Sequence, residues 1–101
     1  MNIMSRRTVV QTRREYLLVD RPTLENITAS KEEINVIVRE YSLTNREAEI
    51  FWLLRSHLPV DLSLITAART HLHAMRKKLK PHNVEIKSLW RGVYQLSIVG
   101  D

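Results

Sequence analysis

The chain has 101 residues, 44% of them hydrophobic and 27% charged, a composition that fits one soluble globular domain with a modest core. It has no cysteine, which excludes disulfides, thiolate nucleophiles and Cys-based zinc sites, and no apolar run reaches the roughly 18 residues that span a bilayer. The net charge of +5 and the pI near 10.0 favour a polyanionic partner: nucleic acid first, an anionic membrane surface or an acidic protein otherwise.

In chain order, Met1 to Arg7 reads as a frayed basic tail without the apolar core of a signal peptide, which suits a cytoplasmic protein. Thr8 to Thr12 and Glu15 to Val19 are rich in β-branched, aromatic and aliphatic residues and read as two short strands around Arg13-Arg14. A single helix across the region is the alternative. Asp20-Arg21-Pro22 breaks the pattern, and Leu24 to Ala29 reads as a linker. Ser30-Lys31-Glu32-Glu33 fits a capping box, with Ile34, Ile37, Val38 and Tyr41 at helical spacing behind it. This helix either packs on the core or forms a homodimer contact. Thr44-Asn45-Arg46-Glu47 is a second capping box, opening a helix that is apolar over a wide arc and should be the most deeply buried. Pro59 predicts its end near His57. Asp61 or Ser63 can then cap a short third helical piece carrying Leu62, Leu64 and Ile65.

The segment from Thr66 to Lys80 organises the rest. Ala68, Leu72, Met75 and Leu79 recur on one helical face, and Arg69, Thr70, His73 and Lys77 fall on or near the other, with Arg76 and Lys80 along its flank. No acidic residue interrupts it. A helix of this kind seats one face in a core and offers cations and small polar groups to a major groove; a solvated surface helix has the same pattern. Pro81-His82-Asn83 ends it. Val84 to Trp90 and Val93 to Val99 then read as two strands joined at Arg91-Gly92, where glycine tolerates the positive φ of a tight turn.

The expected fold is therefore α+β, a winged helix-turn-helix: a three-helix core with a C-terminal β-hairpin wing, preceded by short strands and one extra helix. Residues 1-42 form the N-terminal extension and 43-101 the DNA-binding domain. Leu43 to Ile98 resembles the DNA-binding effector domain of OmpR/PhoB-type response regulators, without a receiver domain. Leu43-Thr44-Asn45-Arg46-Glu47 is similar to that family's Leu-Thr-x-x-Glu opening. The run from His73 to Leu79 is similar to the end of its recognition helix, and Ile86 to Leu96 to its wing, including Arg-Gly and the late Tyr-x-Leu. The stretch between the first helix and the basic helix is shorter here than in the family, where it holds the positioning helix and a loop that contacts RNA polymerase.

The resemblance implies a sequence-specific regulator on double-stranded DNA, with a recognition helix over about 67-80 in the major groove and a wing over 84-99 at the minor groove or backbone. Thr70 and His73 would meet base edges and Arg69 would read guanine. Arg76, Lys80 and Lys87 would hold phosphates, and Lys77 would face the groove. Arg91 would serve at the wing tip, and Trp90 would pack under the wing or against a sugar. Backbone N–H groups near Thr44 offer another phosphate site. The implied partners are DNA, a second copy through the 30-41 helix, and RNA polymerase or another regulator. Rival readings are an adaptor docking an acidic protein of the transcription machinery, and an RNA-binding winged helix. His71 and His73 lie about 200° apart on a helix, so they cannot share a metal. No nucleophile elbow or phosphate-cradling glycine loop is present, so neither catalysis nor a cofactor is expected.

Overall fold

The computed structural model describes residues 7–12, 15–23 and 27–99. Two strands come first, β1 (Arg7–Thr12) and β2 (Glu15–Asp20), paired antiparallel from Arg7↔Asp20 to Thr12↔Glu15. The two-strand expectation holds, and the Arg13-Arg14 turn lies outside the described residues. Helix α1 (Lys31–Tyr41) starts at Ser30, whose hydroxyl accepts the Glu33 N–H while Glu33 accepts the Ser30 N–H at 2.9 Å. These two bonds satisfy donors that a helix start otherwise leaves to water. Helix α2 (Asn45–Leu54) repeats the device with Thr44 and Glu47.

α2 stops at Leu54, three residues before the predicted end at His57. The chain leaves through a turn at Arg55-Ser56 and His57 takes a left-handed φ of 62°. Two hydrogen bonds fix that exit: the His57 Nδ1–H donates to Leu96 O at 3.1 Å, and Gln95 Nε2 donates to His57 O at 2.7 Å. Tertiary contact with the hairpin thus ends the helix before the proline can act.

The short third helical piece expected after Asp61 is not formed. Val60–Asp61 is instead a strand, β3, and residues 62–67 are successive turns, with Leu62 O accepting from Ile65 N and Ile65 O from Ala68 N. Two requirements compete for these residues. A strand here supplies ladder bonds to the hairpin, and Asp61 Oδ1 accepts the Ser63 N–H at 2.9 Å, closing a side-chain turn rather than capping a helix. Three α-helices are therefore present among the described residues, where the sequence reading expected a three-helix core plus one.

Helix α3 (Ala68–Leu79) follows, then a 3-10 turn over Lys80–His82 that ends at Asn83 in the left-handed region. Strands β4 (Val84–Trp90) and β5 (Val93–Ile98) form the predicted hairpin. The sheet order is β1-β2-β3-β5-β4. β3, β5 and β4 make a three-stranded antiparallel sheet, and the β1-β2 hairpin joins it through one parallel pair, Asp20↔Val60.

The core lies between this sheet and the helices. α2 contributes Ala48, Ile50, Phe51 and Leu54; α3 contributes Ala68, Leu72, Met75 and Leu79; the hairpin contributes Ile86, Tyr94 and Leu96. Fully buried side chains such as Leu54, Leu72 and Met75 each add about 1.5–3 kcal/mol. Ile34, Ile37, Val38 and Tyr41 of α1 pack half-buried over the same core, with the Tyr41 and Phe51 rings 4.7 Å apart. Among the described residues no helix is long and apolar enough to cross a membrane.

Candidate nucleic-acid interface

α3 has the two faces the periodicity predicts. Ala68, Leu72, Met75 and Leu79 are buried; Arg69, Thr70, His73, Arg76 and Lys77 are exposed, as is Lys80 just beyond. Three cations in the last turn, Arg76, Lys77 and Lys78, also suit the negative end of the helix dipole, so part of this charge serves the helix itself.

One of the three is committed inside the protein. Lys78 Nζ sits 2.8 Å from Glu47 Oε1, and the Glu47 side chain is only 4% exposed. Burial pushes the Glu47 carboxyl up, but the hydrogen bond from Lys78 and those from Thr44 outweigh it, so the group ends below the usual carboxylate range. This pair ties the start of α2 to the end of α3. It also removes the phosphate site expected near Thr44: the Thr44 N–H already donates to Glu47 at 2.9 Å, and a carboxylate occupies the helix start.

Between α3 and the hairpin runs a groove of about 480 Å³ lined by Arg69, Thr70, Leu72, His73, Arg76, Ser88 and Tyr94. Arg76 crosses the groove: its Nε donates to Ile86 O at 3.1 Å, and its guanidinium carbon is 6.0 Å from the Tyr94 ring centroid. An arginine expected to reach outward is thus anchored at one nitrogen to the strand.

The hairpin tip is held rather than free. Gly92 has φ +74°, the conformation foreseen for this turn, and its carbonyl accepts the Leu62 N–H at 2.9 Å. A bulge between Ser88 and Trp90 precedes it. Behind the tip Asp61, 7% exposed, lies 3.8 Å from Arg21 Nε, which also donates to Ser63 Oγ at 3.1 Å. Arg91 is exposed at the turn.

Two expected site residues fall elsewhere. Lys87 is exposed but pairs with Gln95, and strand alternation puts it on the face opposite Ser88 and the groove. Trp90 is half-buried across the ladder from Val93, and its Nε1 is buried without a hydrogen-bond partner among the described residues. It packs at the base of the turn. Arg69, Thr70, His73 and Arg76 are brought together, whereas Lys77 and Lys80 are exposed outside that lining and Lys80 lies instead along a second cleft with Asn83, Val84 and Val99. Ser88 and Tyr94 complete the groove and were not among the residues singled out from the sequence. Both share the period-2 face of Ile86 and Leu96, which marks them only once that face is known to meet α3.

Among the described residues no three His, Asp or Glu side chains converge as metal ligands. Comparison of the chain with protein-family models, curated proteins and solved structures gave no match.

Proposed function

We propose that this protein is a sequence-specific double-stranded DNA-binding regulator of winged-helix type, with α3 in the major groove and the β4-β5 hairpin against the neighbouring backbone or minor groove. The observation that carries the reading is the acid-free outer face of α3. Arg69, Thr70, His73, Lys77 and Lys80 are exposed together on an element whose other face is locked into the core. A helix held in this way can enter a major groove without unfolding, and short polar side chains flanked by cations suit base edges flanked by phosphates. The three-stranded antiparallel β3-β5-β4 sheet is compatible with a winged-helix arrangement, and its Ser88 lines one groove with Arg69 and Thr70 from the first turn of α3.

The mode of contact differs from the one the OmpR/PhoB resemblance implies. With no helix over 62–67, the positioning helix that the resemblance implies before α3 is not formed. The backbone would be held by α3 and the hairpin, and the tethered tip makes deep minor-groove entry by Arg91 the lesser part.

Selection of bound duplexes from a random pool at near-physiological salt tests the proposal. A consensus is expected, with affinity falling steeply with salt, at a log–log slope of about −4 to −5 for five phosphates. No consensus, together with capture of one acidic protein, would favour the adaptor reading.

A further inference from the structure

The α3–hairpin groove is lined from two elements that converge on one kind of chemistry. Arg69, His73 and Arg76 follow one another at i, i+4 and i+7 on the helix, and Ser88 and Tyr94 face them from the strands. Two guanidiniums, an imidazole and three hydroxyls line the space, and no carboxylate does. Reading bases with α3 would not by itself require the hairpin side of this groove to be polar.

We infer that the groove is a seat for one phosphate group, with Arg76 as its fixed arm. Anchored through Nε to Ile86 O, the Arg76 guanidinium keeps its plane and leaves both terminal NH2 groups for a pair of phosphate oxygens. A fork fixed before binding loses less freedom on binding. Arg69 supplies a second guanidinium, and Ser88 offers a hydroxyl donor from the strand. The 480 Å³ of space holds a phosphate with part of an attached sugar. The ligand chemistry is a phosphate mono- or diester. The inference rests on the DNA-binding reading only for its source, the duplex backbone.

The test uses the full chain. Backbone amide NMR is followed while inorganic phosphate, then a nucleoside 5′-monophosphate, is added, with chloride at matched ionic strength as control. Saturable shifts confined to residues near Arg69, His73, Arg76 and Ser88 are expected with both phosphates and not with chloride. Arg76→Lys keeps the charge but loses the fork, and Ser88→Ala removes a hydroxyl from an exposed position; both should weaken those shifts. With duplex DNA, each should lower affinity roughly tenfold, the loss of one charge-assisted hydrogen bond, on every sequence alike. Non-saturating shifts spread over all lysines and arginines, with duplex affinity unchanged in both variants, would overturn the seat while leaving DNA binding intact. Saturable phosphate binding without duplex binding would keep the seat, make a free phosphate ester its ligand, and overturn the DNA reading.

Discussion

α2 begins with Thr44 in an extended conformation, its hydroxyl accepting the Glu47 N–H and Glu47 returning the bond, whereas α3 begins with Ala67 at a left-handed φ of 58° and no side-chain cap. The acidic residue that closes α2 also takes a lysine from α3. α3 has no acidic residue in its first turn, and among the described residues neither Arg69, Lys77 nor Lys80 has an ion-pair partner. One helix thus has its end closed from within the fold. The other leaves its start and most of its cations to solvent, although both lie on one core. The closed start of α2 is accounted for within the fold, whereas on α3 the helix dipole and the Arg76–Ile86 bond account for the last-turn charge and leave Arg69 without an internal partner among the described residues.

The largest expected effect separates the two faces of α3. Leu72 is 1% exposed, so Leu72→Ala should cost about 2–5 kcal/mol in urea unfolding through lost burial and the cavity left behind. His73, its exposed neighbour, should change stability by under about 0.5 kcal/mol on conversion to Ala, yet lose about 1–3 kcal/mol of binding on the preferred duplex. If His73→Ala instead destabilised the fold and left duplex binding untouched, the division of α3 into a buried and a reading face would be wrong.

The second test breaks the closed end of α2. Glu47→Ala removes the reciprocal cap and leaves Lys78 without its partner. Because the Lys78 side chain is 35% exposed, water recovers part of its solvation, and a loss of about 2–3 kcal/mol is expected rather than the full cost of an isolated buried charge. The pair also sets the acid response. The Glu47 carboxyl sits below its ordinary range when folded, so on acidification the unfolded chain takes up that proton first. Its stabilisation is whole above the ordinary carboxylate range and is lost as pH falls through the lower folded value. Thermal melts should hold level down to about pH 5 and then fall. Glu47→Gln should flatten that fall, and an unchanged acid limb would assign it to other carboxylates, Glu33 at the start of α1 among them.

Both capping boxes, the two faces of α3 and the hairpin with its Gly92 turn were legible in the sequence, because each rests on contacts within a few residues. The turns at 62–67 were not. Leu62, Leu64 and Ile65 have spacings that suit a helical turn, and only the pairing of Val60 and Asp61 with Val93 and Tyr94, more than thirty residues away, decides against it. The early end of α2 has the same origin in His57 and the hairpin. At the candidate site the helical half was legible. The strand half was read as a tip, because Arg91 and Trp90 are conspicuous while Ser88 and Tyr94 become relevant only once Ile86 is known to face α3.

The tethered tip gives the third prediction. A Cβ on Gly92 would meet Asp61 Oδ1 and Ser63 Cβ at 3.3 Å, and φ +74° strains any L residue. Gly92→Ala should cost about 1–2 kcal/mol of stability. The duplex response then sharpens the comparison. If the tip is a support for the groove rather than a probe, the variant should weaken all duplexes by a similar small factor. A loss confined to one sequence would give Arg91 a base-reading role instead.

The smallest expected effect lies at the open start of α3. Ala67 holds φ 58° without the freedom of glycine, so Ala67→Gly relieves strain while adding some freedom to the unfolded chain. The net should be a gain of about 0.5–1 kcal/mol. The opposite sign would mean that the left-handed Ala67 is supported by its surroundings, with α3's start as firmly built as that of α2. Duplex affinity distinguishes the two cases further. A start that is merely unoptimised should bind as before when its strain is removed. A start whose Ala67 conformation aims Arg69 and Thr70 into the groove should bind less tightly once glycine lets the turn wander, even as the fold grows more stable. That combination would tie the missing cap to the interface, because stability and binding would then pull one residue in opposite directions.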